Sequence, residues 1–244
     1  MLVSCPSLPF IFDLLKTLIG AFLGALFAFL VSMSLEYFKR KKEYLANGNL
    51  AMMVLSRQYG DFLIAKTFIE IHIANLLRAY PNTPSWAQLQ PTLFKFSETL
   101  RVNLQSLAFL LEGHSEIVDR LVNVDVKYHD LGDILDTFTE AAYKRHQIFS
   151  EHGVTEVTPV DYREAQNWMG IALIGKLESL MDAIDIRLKN DLIAYQKAGQ
   201  TFNQIMVKRF GINGVVPFQP LGANMEKINN DRQLAGLDAI AALP

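Results

Sequence analysis

The sequence predicts an all-α protein: a single N-terminal transmembrane helix followed by an elongated antiparallel bundle of three to four long helices. Three observations predict it. Thr17–Leu35, TLIGAFLGALFAFLVSMSL, is a run of nineteen residues without a charge. From Leu50 to Arg209 apolar residues recur at steps of three and four, the period of a helix face. No stretch carries the strict alternation of a half-buried strand.

At 1.5 Å rise per residue the apolar run covers about 28 Å as a helix, close to the roughly 30 Å hydrocarbon core of a bilayer. A secretory leader has its positive charge before the apolar region and small residues at its exit. Here the basic cluster Lys39, Arg40, Lys41, Lys42 follows the run, and the exit is Glu36-Tyr37-Phe38. The sequence therefore predicts a retained span over 14–38, a short extracytoplasmic tail over 1–13, and a basic juxtamembrane segment over 39–49. Basic residues crowd the C-terminal flank, whereas Lys16 stands alone before the span, so the positive-inside rule puts the body in the cytoplasm, facing the inner membrane if the source is bacterial. Lys39 to Lys42 are expected to meet anionic lipid headgroups, each contributing about 1 kcal/mol near the surface.

Within the span, Gly20, Gly24, Ala28 and Ser32 recur every fourth residue. Lipid gives spans no hydrophobic reason to associate, so close backbone approach over small residues is a main route to it. These four residues form the predicted packing seam for a homo-oligomer.

The body, 50–210, is long enough for a real core. Asn47-Gly48-Asn49 is the first helix breaker and a hinge candidate, with helix expected on both sides. The first stripe uses Leu55, Tyr59, Phe62, Phe68, Ile69 and Ile73, and Pro81-Asn82-Thr83-Pro84-Ser85 breaks it. A second helix, opened by Pro91, is expected through Phe96, Leu100, Leu104, Leu107 and Leu111 as far as Glu112, with Gly113 as its stop and Ser115 capping the next. The third carries the most regular pattern: Ile117, Leu121, Val124, Tyr128, Leu131, Leu135, Phe138 and Ala142 alternate steps of four and three, a coiled-coil-like seam ending near Gly153. Thr158-Pro159-Val160-Asp161 reads as the start of a last helix reaching Arg209. Such a helix approaches 75 Å at about 1.5 Å per residue, so it is expected either to break near Gly199 or to belong to an elongated bundle. The remainder, 211–244, reads as a linker or tail that could dock a partner.

Half the residues are hydrophobic, a fifth are charged and the net charge is -2, which excludes a whole-protein field for nucleic acid. The one cysteine, Cys5, cannot form an intramolecular disulfide. There is no phosphate-cradling glycine loop, nucleophile elbow or paired-cysteine metal motif, and His146, Glu151 and His152 miss the spacing of an inverted metalloprotease motif. Asp125, His129 and Asp133 recur every four residues on one helix, but without the Glu-x-x-His pattern of di-metal bundles they read as a solvated acidic face. Glu178, Asp182 and Asp185 read as another wet face, and Trp86 and Trp168 as core.

No catalytic, metal or cofactor-binding residue is therefore expected, and no cofactor. The reading is a non-enzymatic single-pass membrane protein whose cytoplasmic bundle mediates protein–protein assembly, with membrane lipids and further copies of itself as partners and a protein partner through the bundle or tail. An adaptor anchoring a larger secretion or defence complex is the alternative, and a membrane-bound enzyme with a site assembled from separate helices is the second.

Overall fold

The structure, a computed structural model, describes residues 8–79, 84, 86, 95–154 and 161–219. The described residues form an all-α helical bundle built from three long helices: α1 (Leu8–Ala79), α2 (Leu111–Glu151) and α3 (Tyr162–Phe210). A 3-10 helix, Gln105–Leu110, leads into α2, and a one-turn 3-10 helix, Ile212–Gly214, follows α3. Residues 1–7 of the N-terminal tail, the breaker at Pro81–Thr83, the Pro91 start, Thr158 and the tail beyond Gln219 lie outside the described residues, and residues 8–13 of the expected tail belong to α1.

The chain divides into two units, Met1–Ala46 and Asn47–Pro244. The first contains the apolar stretch of α1. The second contains the core. Its seam on α2 is as the sequence predicts: Ile117, Leu121, Val124, Tyr128, Leu131, Leu135, Phe138 and Ala142 are all buried. On α3 the buried side chains include Met169, Leu177, Ile184, Leu188, Leu192 and Tyr195, and on α1 they include Met52, Leu55, Phe62 and Ile69. Phe68, counted into the α1 stripe by its spacing, is exposed instead.

Cross-helix contacts give the directions. Val124 meets Tyr195, Lys127 meets Asp191 and Asp130 meets Arg187, so α2 and α3 run antiparallel. Gly48 meets Met206 and Gln58 meets Tyr195, so α3 also runs against α1. Gln58 meets Asp125 and Asp61 meets Tyr128, so α1 and α2 run the same way. Parallel neighbours need a return connection, and the chain before α2 supplies it.

That connection is where the structure departs from the expected second helix. Residues 95–104 are not helical, and only Gln105–Leu110 winds into 3-10 turns. Phe96, Val102, Leu107, Phe109 and Leu110 are nevertheless buried, so the three-four spacing reflects a segment lining the core rather than a helix. Gly113 does stop it: Glu112 is extended and Gly113 takes φ 95°, a left-handed conformation open to glycine. Helix α3 starts at Tyr162 with Asp161 as its cap, the carboxylate accepting from Arg163 N at 2.7 Å. The one break in α3 is at Gly170 (φ 76°), and the helix runs on through Gly199 to Phe210.

The Asn47-Gly48-Asn49 triplet lies within α1, which is helical throughout. Its glycine faces Met206 of α3. A Cβ on Gly48 would lie 2.0 Å from the Met206 methyl, so the missing side chain makes room for the end of Met206. Asn47 Nδ2 donates to Ser106 O at 3.4 Å and Asn49 Nδ2 to Gly214 O at 2.8 Å. Asn47 and Asn49, weak helix formers, thus make tertiary bonds here, on either side of a glycine whose helix penalty is about 1 kcal/mol.

Candidate functional site

The residues expected to act lie on α1 in the first unit. Among the described residues α1 is the one helix long and apolar enough to cross a membrane, and none of its most apolar window is buried. A core helix of a soluble protein would be covered. Phe22, Leu23, Leu26, Phe27, Phe29 and Leu30 are all exposed. Successive residues point about 100° apart around a helix, so these six cover roughly half of the circumference, and the exposed Ala21, Gly24, Ala25, Ala28 and Val31 fill the rest, which leaves no charged side. An in-plane amphipathic helix needs such a side.

Two hydroxyls of this stretch are satisfied locally. Thr17 Oγ1 donates to Asp13 O and Ser34 Oγ to Leu30 O, each at 2.9 Å. Such bonds remove the cost of a bare hydroxyl in hydrocarbon. Gly20, Gly24, Ala28 and Ser32 are exposed, and a Cβ added at Gly20 or Gly24 meets nothing within 4 Å. Steps of four advance about 40° each around the helix, so the four trace a shallow spiral rather than a straight line. A spiral of this kind fits a neighbour crossing at an angle, as small-residue pairs do.

Lys39, Arg40, Lys41 and Lys42 are all exposed. Being consecutive, they project around the whole helix and form a belt. Arg40 pairs with Glu36 one turn earlier; both are well exposed, so the pair adds little stability. Tyr37 and Phe38, exposed and edge to face at 6.0 Å, precede the belt. An aromatic pair followed by a basic ring is the chemistry of a membrane–water interface.

The second unit holds a buried polar network that the sequence did not disclose. Asp125 is buried, not part of a wet face: its Oδ1 accepts from Gln58 Nε2 at 2.7 Å and from Val102 N at 3.1 Å. Gln58 Nε2 also donates to Leu100 O at 2.8 Å, and Tyr195 OH donates to Gln58 Oε1 at 3.1 Å. Beside it, Tyr128 OH donates to Asp61 Oδ2 at 2.8 Å and accepts from Ser97 N at 3.1 Å. These side chains replace the backbone partners that residues 97–102 lack by not being helical. Burial raises the Asp61 carboxyl above the usual carboxylate range, against the opposing pull of the Tyr128 hydroxyl and the Arg57 guanidinium. Burial, with the Asp61 hydrogen bond, also raises the Tyr128 phenol.

The other singled-out residues fall apart. Asp133 is exposed and His129 half-buried, so Asp125, His129 and Asp133 do not share an environment. Among the described residues no three His, Cys, Asp or Glu side chains are placed to hold a metal ion. Glu178 is exposed and accepts from the Trp86 indole at 3.1 Å, while Asp185 pairs with Lys189. Trp86 is buried as expected and its carbonyl takes a hydrogen bond from Arg145, a buried guanidinium lowered by desolvation to about 10 and still charged at neutral pH. Trp168 is half-buried, stacked on His152 at 4.5 Å.

No protein-family model, curated protein or solved structure matches this chain.

Proposed function

We propose that this chain is a single-pass membrane protein whose helical body assembles proteins at the cytoplasmic surface, and that its copies associate through Gly20, Gly24, Ala28 and Ser32 in the span. The observation that carries this reading is the uncovered apolar stretch of α1, exposed on every face and continuous in one helix with the side chains of the bundle core. In water, that much contiguous apolar surface is a severe liability. Bilayer lipid removes it. The basic belt at Lys39 to Lys42 orients the span with the body inside, and only Glu43 to Ala46 separate the belt from the second unit.

Gly24→Leu tests the association. Crosslinking in intact membranes is expected to trap homo-oligomers of the wild type and at least ten-fold fewer of the variant, with alkali-resistant insertion unchanged. Equal crosslinking of both proteins contradicts the seam, and alkali extraction of the wild type contradicts the span.

A further inference from the structure

A surface slot in the second unit carries an inference that does not depend on the span. After α3 ends at Gly211 (φ 86°) and the chain turns through Ile212–Gly214, residues 214–219 lie as a strap over the side chains of α1 and α3. Asn49 grips the strap at two points. Its Nδ2 donates to Gly214 O at 2.8 Å and its Oδ1 accepts from Val216 N at 3.0 Å, so one carboxamide brackets Val215, whose φ of -102° and ψ of 127° are extended. This reads backbone and is indifferent to side chain, as a neighbouring strand would be. Pro217 has no N–H to satisfy and is exposed. Further along, Gln219 N donates to the otherwise buried Ser56 Oγ at 3.3 Å.

Side-chain selection comes at Phe218. Its ring lies against the backbone of Gly199, where a Cβ would fall 2.3 Å from ring carbon Cε2, and 5.4 Å from the ring of Tyr59. The glycine is a notch in α3 that admits a flat ring. The ring seals it.

We infer that Asn49, Ser56, Tyr59 and Gly199 form a recognition site for an extended peptide segment bearing an aromatic residue, and that residues 214–219 are its resident, displaceable occupant. The partner is a protein segment of the same chemistry: extended backbone at the Asn49 position, then an aromatic ring for the notch. Because the strap is tethered, it competes at an effective concentration on the order of millimolar. Entry therefore requires either a tighter ligand or loss of the resident ring.

The test uses the full-length chain in lipid nanodiscs and a labelled synthetic peptide of residues 213–219 as the probe. Phe218→Ala removes the resident ring and leaves the slot intact. The variant is expected to bind the peptide at least ten-fold more tightly than wild type, and at least ten-fold more tightly than it binds the same peptide with alanine for phenylalanine. Gly199→Ala introduced into that variant is expected to abolish the gain. Equal peptide binding by wild type and Phe218→Ala overturns the proposal, as does equal binding of the ringless peptide. Should Phe218→Ala fail to fold, hydrogen exchange on wild type decides: millimolar peptide is expected to speed exchange at Val216 and Gln219 at least ten-fold and leave central α3 amides unchanged. No acceleration there overturns the proposal.

Discussion

Gln58 on α1 and Asp125 on α2 meet at 2.7 Å in the buried centre of the bundle, and together they bind the backbone of the non-helical segment that returns the chain between two parallel helices. Gln58 holds Leu100 O and Asp125 holds Val102 N. The topology thus rests on a pair of polar side chains rather than on apolar packing alone. Asp125→Ala strips a partner from the Val102 N–H and from the Gln58 amide. An unsatisfied buried donor costs about 1–3 kcal/mol, so the variant is expected to lose at least that much in denaturant unfolding of the full chain. An unchanged midpoint would remove the pair from its structural role.

Asp61 gives a pH signature. Its folded carboxyl titrates above the ordinary carboxylate value of about 3.9 because burial disfavours the charge. The folded state therefore holds this proton more tightly than the unfolded state does. The resulting stability is fully present below the unfolded value and lost as pH rises through the folded one. Thermal melts from acid to neutral pH are expected to show the advantage of wild type over Asp61→Asn shrinking with rising pH above about 3.9. A constant difference between the two proteins contradicts this account of Asp61.

Gly48 and Met206 form a coupled contact. Alanine at position 48 gains up to about 1 kcal/mol of helix propensity, yet its Cβ would stand 2.0 Å from a methionine methyl that has no exposure. Overpacking of this kind typically costs about 1–3 kcal/mol. Gly48→Ala is expected to destabilise wild type and to stabilise the Met206→Ala background. Additive effects in a double-mutant cycle would show that the two do not constrain each other.

Charge within the apolar stretch tests insertion. Leu26 is exposed in the middle of it. Lysine near the centre of a span opposes insertion by about 2.5–3.5 kcal/mol on translocon scales. Leu26→Lys is expected to lower the alkali-resistant fraction, whereas Leu50→Lys, at an exposed position in the second unit, is expected to leave it unchanged. Equal losses would point to general destabilisation.

The all-α class, the helix bearing the apolar run and the α2 seam were legible because each rests on a long repeated pattern: nineteen uncharged residues, or eight apolar positions at steps of four and three. The return segment was not, since Phe96, Leu107 and their neighbours are spaced like a helix face while their backbone follows another course. Periodicity records which residues are buried. It does not record where the backbone hydrogen bonds go. Asp125 was misread for the same reason: its place beside the seam looks wet until Gln58 and Val102, remote in sequence, arrive to bind it. Asn49 and Gly199, a breaker and a weak point by local rules, are explained only by the strap from the far end of the described chain. Gly20, Gly24, Ala28, Ser32 and Lys39 to Lys42 are exposed on α1.

The most direct test of the central claim, a membrane-held bundle that assembles with copies of itself, is native mass spectrometry of the full-length chain released gently from its host membrane. The account predicts a homo-oligomer of defined stoichiometry in the wild type and a shift towards monomer in Gly24→Leu. A monomeric wild type, or a complex that holds a single copy of this chain with a different subunit, would contradict it.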